Sequence, residues 1–155
     1  MKKKKIVMNS GRVFYKVNEL LVFNSGVEKV YLEAYDSVEN EELKAFFNER
    51  AFERNQFSKD LKTEMENIED KSSQPAGLST NFYEIWRNFR NLILMDNESG
   101  LLNEVYRLKE VSVEMYNQLL MEPNLPLSVC KLLGKQRDSI QAAMNTMKRD
   151  LTLVY

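Results

Sequence analysis

The chain has 155 residues, the size of one domain with room for a real core. It is 43% apolar and 29% charged, with only 3 prolines and 5 glycines, a composition that favours long helices over an all-β fold built on tight turns. A formal net charge of −1 supplies no global field for nucleic acid or an anionic membrane, and the absence of histidine excludes Ser-His-Asp and Cys-His catalysis and every Glu-x-x-His metal motif.

The single cysteine, Cys130, excludes an internal disulfide and reads as a small buried apolar side chain in a reducing, cytoplasmic setting. Lys2 to Lys5 make a basic start that no apolar run of secretory length follows, so neither a signal peptide nor a membrane span is expected. Residues 1–13 are read as a flexible basic N-terminus and residues 14–155 as one helical-bundle domain.

The first helix is expected from about Phe14 to Val38. Val17, Leu20, Asn24, Val27, Tyr31, Ala34 and Val38 recur at alternating steps of three and four, the mark of a bundle seam. Gly26 interrupts it at a cost of about 1 kcal/mol against alanine, which fits a close approach by another helix. Asn40, followed by Glu41 and Glu42, predicts the start of a second helix reaching about Asp70. The short turn between the two demands an antiparallel hairpin. The inward stripe of the second helix reads Leu43, Phe46 or Phe47, Arg50, Arg54, Phe57, Leu61, Met65 and Ile68. Two arginines on a core stripe ask to be paired inside the bundle.

Lys71 to Ser79, with Pro75 and Gly77, predicts a linker. A third helix, about Asn81 to Met95, carries Phe82, Ile85, Trp86, Phe89, Leu92 and Ile93 on one wide face and can act as a crossover. After a turn at Asp96 to Gly100, a fourth helix is expected from Leu101 to Met121. Its inward face holds Leu102, Val105, Leu108 or Lys109, Ser112, Met115 or Tyr116, and Leu119. Pro123 and Pro126 separate it from a fifth helix, Leu127 to Leu151, with Val129, Leu133, Gln136, Ile140, Ala143, Met147 and Leu151 inward. The tail to Tyr155 is expected to dock on the bundle or on a neighbouring chain.

The two hairpins resemble each other. Gly26-Val-Glu-Lys-Val-Tyr31 aligns with Val111-Ser-Val-Glu-Met-Tyr116, and Leu43-Lys-Ala-Phe-Phe47 with Val129-Cys-Lys-Leu-Leu133. Arg50 then falls on Gln136 and Arg54 on Ile140. Two such hairpins related by a pseudo-twofold axis and joined by a crossover make a ferritin-like bundle. The expected fold is therefore all-α: a ferritin-like antiparallel four-helix bundle of two α-hairpins joined by an additional short crossover helix.

Three stretches carry a family resemblance: Asn24-Ser-Gly-Val-Glu-Lys-Val-Tyr31, Glu42-Leu-Lys-Ala-Phe-Phe-Asn-Glu-Arg-Ala-Phe-Glu-Arg-Asn-Gln-Phe57, and the aromatic crossover around Trp86. They resemble a bacterial family of ferritin-like four-helix-bundle proteins of unknown function, domain of unknown function 2383. The resemblance implies the fold and a stress-related bacterial setting, and it carries no activity. In Gln136-Arg-Asp-Ser-Ile-Gln-Ala-Ala-Met144, Met144 stands where many relatives are expected to have histidine.

A di-iron bundle needs glutamates on two helices and Glu-x-x-His on the other two. Here Glu49 and Glu53 have no histidine behind them, and Glu28, Glu33, Glu110, Glu114 and Asp138 are the remaining carboxylates near that level. Arg50 and Arg54 would repel a cation. The expectation is a polar layer of Asn24, Tyr31, Arg50, Arg54, Tyr116 and Gln136, with Glu28 or Glu110 pairing Arg50. No catalytic, cofactor-binding or metal-ligating residue is assigned and no cofactor is expected. The functional reading is a non-enzymatic bundle acting through oligomerisation, as a dimer, or through binding a protein partner, with no nucleic acid and no membrane. The alternative is a carboxylate-based iron or manganese protein, in which Glu28, Glu49, Glu53 and Glu110 would form the site. A third reading is a module that holds a small apolar ligand between its helices.

Overall fold

A computed structural model describes the backbone of residues 2–68, 77–78 and 80–154, and side chains over 11–68, 77–78 and 81–147. The linker between the second and third helices, the N-terminal lysine side chains and the tail beyond residue 147 as a docking segment lie outside what is described. Five helices are present: α1 (Lys2–Ser37), α2 (Glu41–Glu66), α3 (Thr80–Leu94), α4 (Glu98–Leu120) and α5 (Leu127–Val154). Among the described residues there is no strand.

The helix boundaries differ from the expected ones where local chemistry outweighs the apolar pattern. α1 begins at Lys2 rather than near Phe14, because a run of lysines is a good helix former and no proline or cap interrupts it. α2 starts as expected: the Asn40 side chain accepts from the Leu43 N–H at 3.0 Å, with Glu41 and Glu42 in the first turn. It stops at Glu66, short of Asp70, where the Asn67 N–H turns back to the Glu64 and Met65 carbonyls. α4 begins at Glu98 rather than Leu101. Asp96 takes φ 52°, and the Asn97 side chain accepts from the Gly100 N–H at 2.9 Å as the cap.

Helices α1 and α2 form one antiparallel hairpin and α4 and α5 a second; α1 also meets α4, and α2 meets α5. Polar ties fix the register. Arg12, in the N-terminal third of α1, makes a bidentate pair with Glu122 just past α4, both bonds 2.9 Å, while Asn24 further along α1 meets Tyr116 further back on α4, so these two helices run in opposite directions. Ser128 of α5 donates to Glu64 of α2 at 2.9 Å.

The α3 helix spends its apolar face on the bundle. Phe82, Ile85 and Phe89 are buried, and the Phe89 ring lies 6.5 Å from both Tyr31 and Phe47. Trp86 Nε1 and Arg90 Nε each donate to Glu33 of α1 at 2.7 Å, and the Arg90 guanidinium stacks over the indole at 4.9 Å. These bonds, Arg90 first, hold the Glu33 carboxyl below the usual carboxylate range. At Gly26 the two helices nearly touch: a Cβ there would sit 2.8 Å from Phe82 Cζ and 3.0 Å from a Leu78 methyl.

The core splits into two apolar clusters. One gathers Phe23, Val27, Tyr31, Phe47, Phe89, Val105 and Leu108 among others; the second gathers Val17, Leu20, Leu61, Tyr116, Leu133, Ile140 and Met144. Arg54 and Ser58 on α2 and Ser112 on α4, all buried, separate the two clusters along their helices, and the buried Asn24 and Gln136 join them from α1 and α5.

Replacing Gly26 with alanine gains about 1 kcal/mol of helix propensity but forces Phe82 and Leu78 off their positions, an overpacking cost of about 1–3 kcal/mol. The expected outcome is a lower urea midpoint. A midpoint at or above the wild type would show that α3 yields freely.

Candidate functional site

The buried polar layer is a directional chain of hydrogen bonds. Gln136 Nε2 donates to the Phe57 carbonyl at 3.2 Å, and Gln136 Oε1 accepts from the Tyr116 hydroxyl at 2.5 Å. That hydroxyl accepts from Asn24 Nδ2 at 3.0 Å, and Asn24 Oδ1 accepts from Arg54 Nη1 at 2.7 Å. Arg54 Nη2 donates to Ser112 Oγ at 3.0 Å, whose own proton goes to the Leu108 carbonyl at 2.7 Å. Each donor finds an acceptor in turn, and the chain passes through α1, α2, α4 and α5. Both amide orientations follow from it.

Arg54 is the centre of this layer and is fully buried. Its two bonded partners are neutral, and its Nε is unpartnered. Beside it lies Lys109, 1% exposed, whose Nζ also lacks a partner. Burial first, then repulsion from Arg54, pushes the Lys109 ammonium down to about 7, against the pull of Glu53. Burial drives the Tyr116 hydroxyl the other way, up to about 12, with Arg54 opposing. Tyr31, fully buried, is also raised by burial. Its hydroxyl lies near the Arg54 guanidinium, at a geometry outside a full hydrogen bond.

The structure corrects the expected placement of Arg50. It is not a core residue: its side chain is 23% exposed, spans Glu49 at 3.7 Å and Glu53 at 3.9 Å, and lies against the Phe46 ring at 5.8 Å. Neither Glu28 nor Glu110 pairs with it, and Glu110 is exposed. Ala51 and Ser58 take inward positions on α2, and Phe57 is only half-buried. On α4, Leu101 rather than Leu102 is buried, and on α5 Met144 rather than Ala143. Cys130 is half-buried, its sulfur 4.0 Å from the Leu125 carbonyl. Asn24, Tyr31, Arg54, Tyr116 and Gln136 all occupy the core as expected.

Lys109 and Ser112 are members of the site that the polar-layer reading left out. The signal was present. The repeat that sets Tyr31 on Tyr116 also sets Asn24 on Lys109, so both mark the same place in the two hairpins.

The carboxylates named for a metal do not fit one. Glu49 is 71% exposed and pairs with Arg50, Glu53 is tied to Arg50 and Ser139, and Glu110 faces outward. Among the described residues no three of His, Cys, Asp or Glu gather in a group that could hold a metal ion. The middle of the core carries a guanidinium and an amine instead.

Fold and site together define an all-helical protein whose core is divided by a hydrogen-bonded, cationic layer. Residues 12–122 match the family described as domain of unknown function (DUF2383), and the chain belongs to that family. The match spans α1 to α4, while Gln136 and Met144 come from α5 beyond it. No curated protein and no solved structure matches the chain. Among the described residues no helix is long and apolar enough to cross a membrane.

Replacing Arg54 with alanine orphans Asn24 Oδ1 and leaves a hole in the layer. The expected cost is about 1–3 kcal/mol for the orphaned buried acceptor, with the cavity adding to it, against about 1 kcal/mol or less for Arg50→Ala, both read from urea denaturation. Equal effects would contradict the assignment of Arg54 as the centre.

Lys109 makes stability depend on pH. Its folded value of about 7 lies below the unfolded 10.5, so between these limits the unfolded chain binds more protons and stability rises with pH. The groups acting on it are Arg54, Arg50 and Glu53 of α2. At low salt, stability is expected to rise by about 2 kcal/mol from pH 7 to pH 9, below the range where Tyr31 and Tyr116 titrate. Lys109→Met should flatten this slope. An unchanged slope in that variant would place its origin elsewhere.

Proposed function

We propose that the protein is a non-enzymatic ferritin-like helical bundle that acts by associating with a second copy of itself. Two antiparallel hairpins joined through a segment that contains α3 support the ferritin-like reading, since one long crossover between hairpins is how that fold is built. The non-enzymatic part rests on the hydrogen-bonded layer. Asn24, Arg54, Ser112, Tyr116 and Gln136 bond to one another across four helices, and Glu49 and Glu110 face outward.

The association rests on one surface observation. Met121 and Leu127 flank the α4–α5 turn with 82% and 70% of their surface exposed. Beside Met121 an open groove of about 400 Å³ runs between α4 and α5, with Val113 and Met144 among its walls. Exposed methionine next to an apolar groove is the kind of surface another helix covers. The aromatic face of α3 is spent inside the molecule on Tyr31, Phe47 and Phe23.

Light scattering on the full chain after size exclusion tests the reading. The expected mass is twice the 18.2 kDa of one chain, falling to one chain in Met121→Glu. A wild type that stays monomeric at the highest soluble concentration would overturn the association.

A further inference from the structure

Among the described residues, Tyr31 OH, Arg50 Nε, Arg54 Nε, Lys109 Nζ and Glu53 Oε1 are buried polar atoms without a hydrogen-bond partner. Glu104 Oε2 is another, and its residue belongs to a separate pair with Arg107. The first five form one neighbourhood. Tyr31 and Lys109, from α1 and α4, each feel Arg54, Arg50 and Glu53 of α2. Four of the atoms are donors and one is an acceptor. Three cationic side chains stand against one carboxylate, and that carboxylate is 3.9 Å from Arg50 Nη1.

The internal repeat shows what this neighbourhood lacks. In one half of the bundle the buried Tyr116 hydroxyl sits between Asn24 and Gln136, and the amide oxygens close every bond. The repeat exchanges Tyr116 with Tyr31, Asn24 with Lys109 and Gln136 with Arg50. The second half thus keeps the tyrosine and replaces both amides by groups that only donate. Buried donors are ordinarily satisfied, and a buried surplus of positive charge is costly unless an anion meets it.

We propose that the layer around Tyr31, Arg50, Arg54 and Lys109 is an internal binding site for a monovalent inorganic anion of halide size. The unpartnered Tyr31 hydroxyl, Arg54 Nε and Lys109 Nζ, on α1, α2 and α4, are its donors. A monatomic anion suits these donors because Tyr31 belongs to the same buried apolar cluster as Phe47, Phe89, Val105 and Leu108, an environment poor in groups that could orient a larger polyatomic ligand. Arg50 and Glu53, each about a fifth exposed, are the members of this neighbourhood that meet solvent.

The test compares sodium bromide with sodium gluconate at equal ionic strength, since gluconate is too large to enter. Thermal unfolding of the full chain at neutral pH is the readout. At about ten times the dissociation constant, bromide should raise the wild-type midpoint by roughly 3–6 °C, saturating with concentration. Lys109→Met, which removes a buried amine while keeping its length, and Tyr31→Phe should each lose most of this increment. A wild-type midpoint that does not respond, or an equal rise in wild type and both variants, overturns the site. Anomalous diffraction from a bromide-soaked crystal gives a second readout: a peak within hydrogen-bond reach of Lys109 Nζ supports it, and a map without one there overturns it.

Discussion

Arg54 is fully buried, so each of its donors must find an acceptor inside the protein or stay unpaired. That requirement constrains the rest of the core. Asn24 has to turn its oxygen toward the guanidinium, which aims its amide nitrogen at Tyr116. Tyr116 must then donate onward, and Gln136 is the acceptor that receives it. One residue on α2 thereby sets the side-chain state of α1, α4 and α5. An apolar core of leucines would tolerate sliding by a turn. A chain of bonds with one direction does not, because a shift leaves several buried groups unpaired at once.

The layer also explains the shape of the packing on either side. Along α2 and α4 the two apolar clusters are separated by the polar residues Arg54, Ser58 and Ser112. The first cluster takes in α3, whose aromatic face closes over Tyr31 and Phe47. That closure depends on Gly26, where any side chain would strike Phe82. The charged grip of Glu33 on Trp86 and Arg90 holds the outer edge of α3. The second cluster has no such fifth helix and is closed instead by Met65, Ile68 and Met144.

Much of this was legible in the sequence because helical periodicity reports burial directly. The seam of α1, from Val17 to Val38, is buried at every expected position. The N-cap at Asn40, the role of Gly26 and the membership of Asn24, Arg54, Tyr116 and Gln136 in one layer could also be read. What could not be read is which of two arginines one turn apart points in. Both satisfy the stripe, and the choice turns on a few tens of degrees of helix rotation. The three-dimensional structure turns Ala51 and Arg54 inward and leaves Arg50 beside Glu49 and Glu53. Lys109, an alternative to Leu108 on the inward face, was left out of the polar layer for a related reason. Lysine beside Leu108 on a helix normally sends its amine to solvent, and only the packing of α4 against its neighbours denies it that route.

The asymmetry between the two hairpins then acquires a physical meaning. If the repeat reflects a common origin for the halves, both began with a tyrosine flanked by the same two positions. In one half these positions hold neutral amides, which can donate and accept at once, and the bonds close. In the other they hold Lys109 and Arg50, which cannot accept. Such a half is costly when left alone, and the depressed Lys109 ammonium is the sign of that cost. One carboxylate, Glu53, stands against this positive surplus. The unpartnered buried atoms near Arg54 are four donors, three of them on cationic side chains, against one carboxylate oxygen. The chemistry that the middle of this bundle can support is therefore opposite in sign to that of a metal-binding helical bundle.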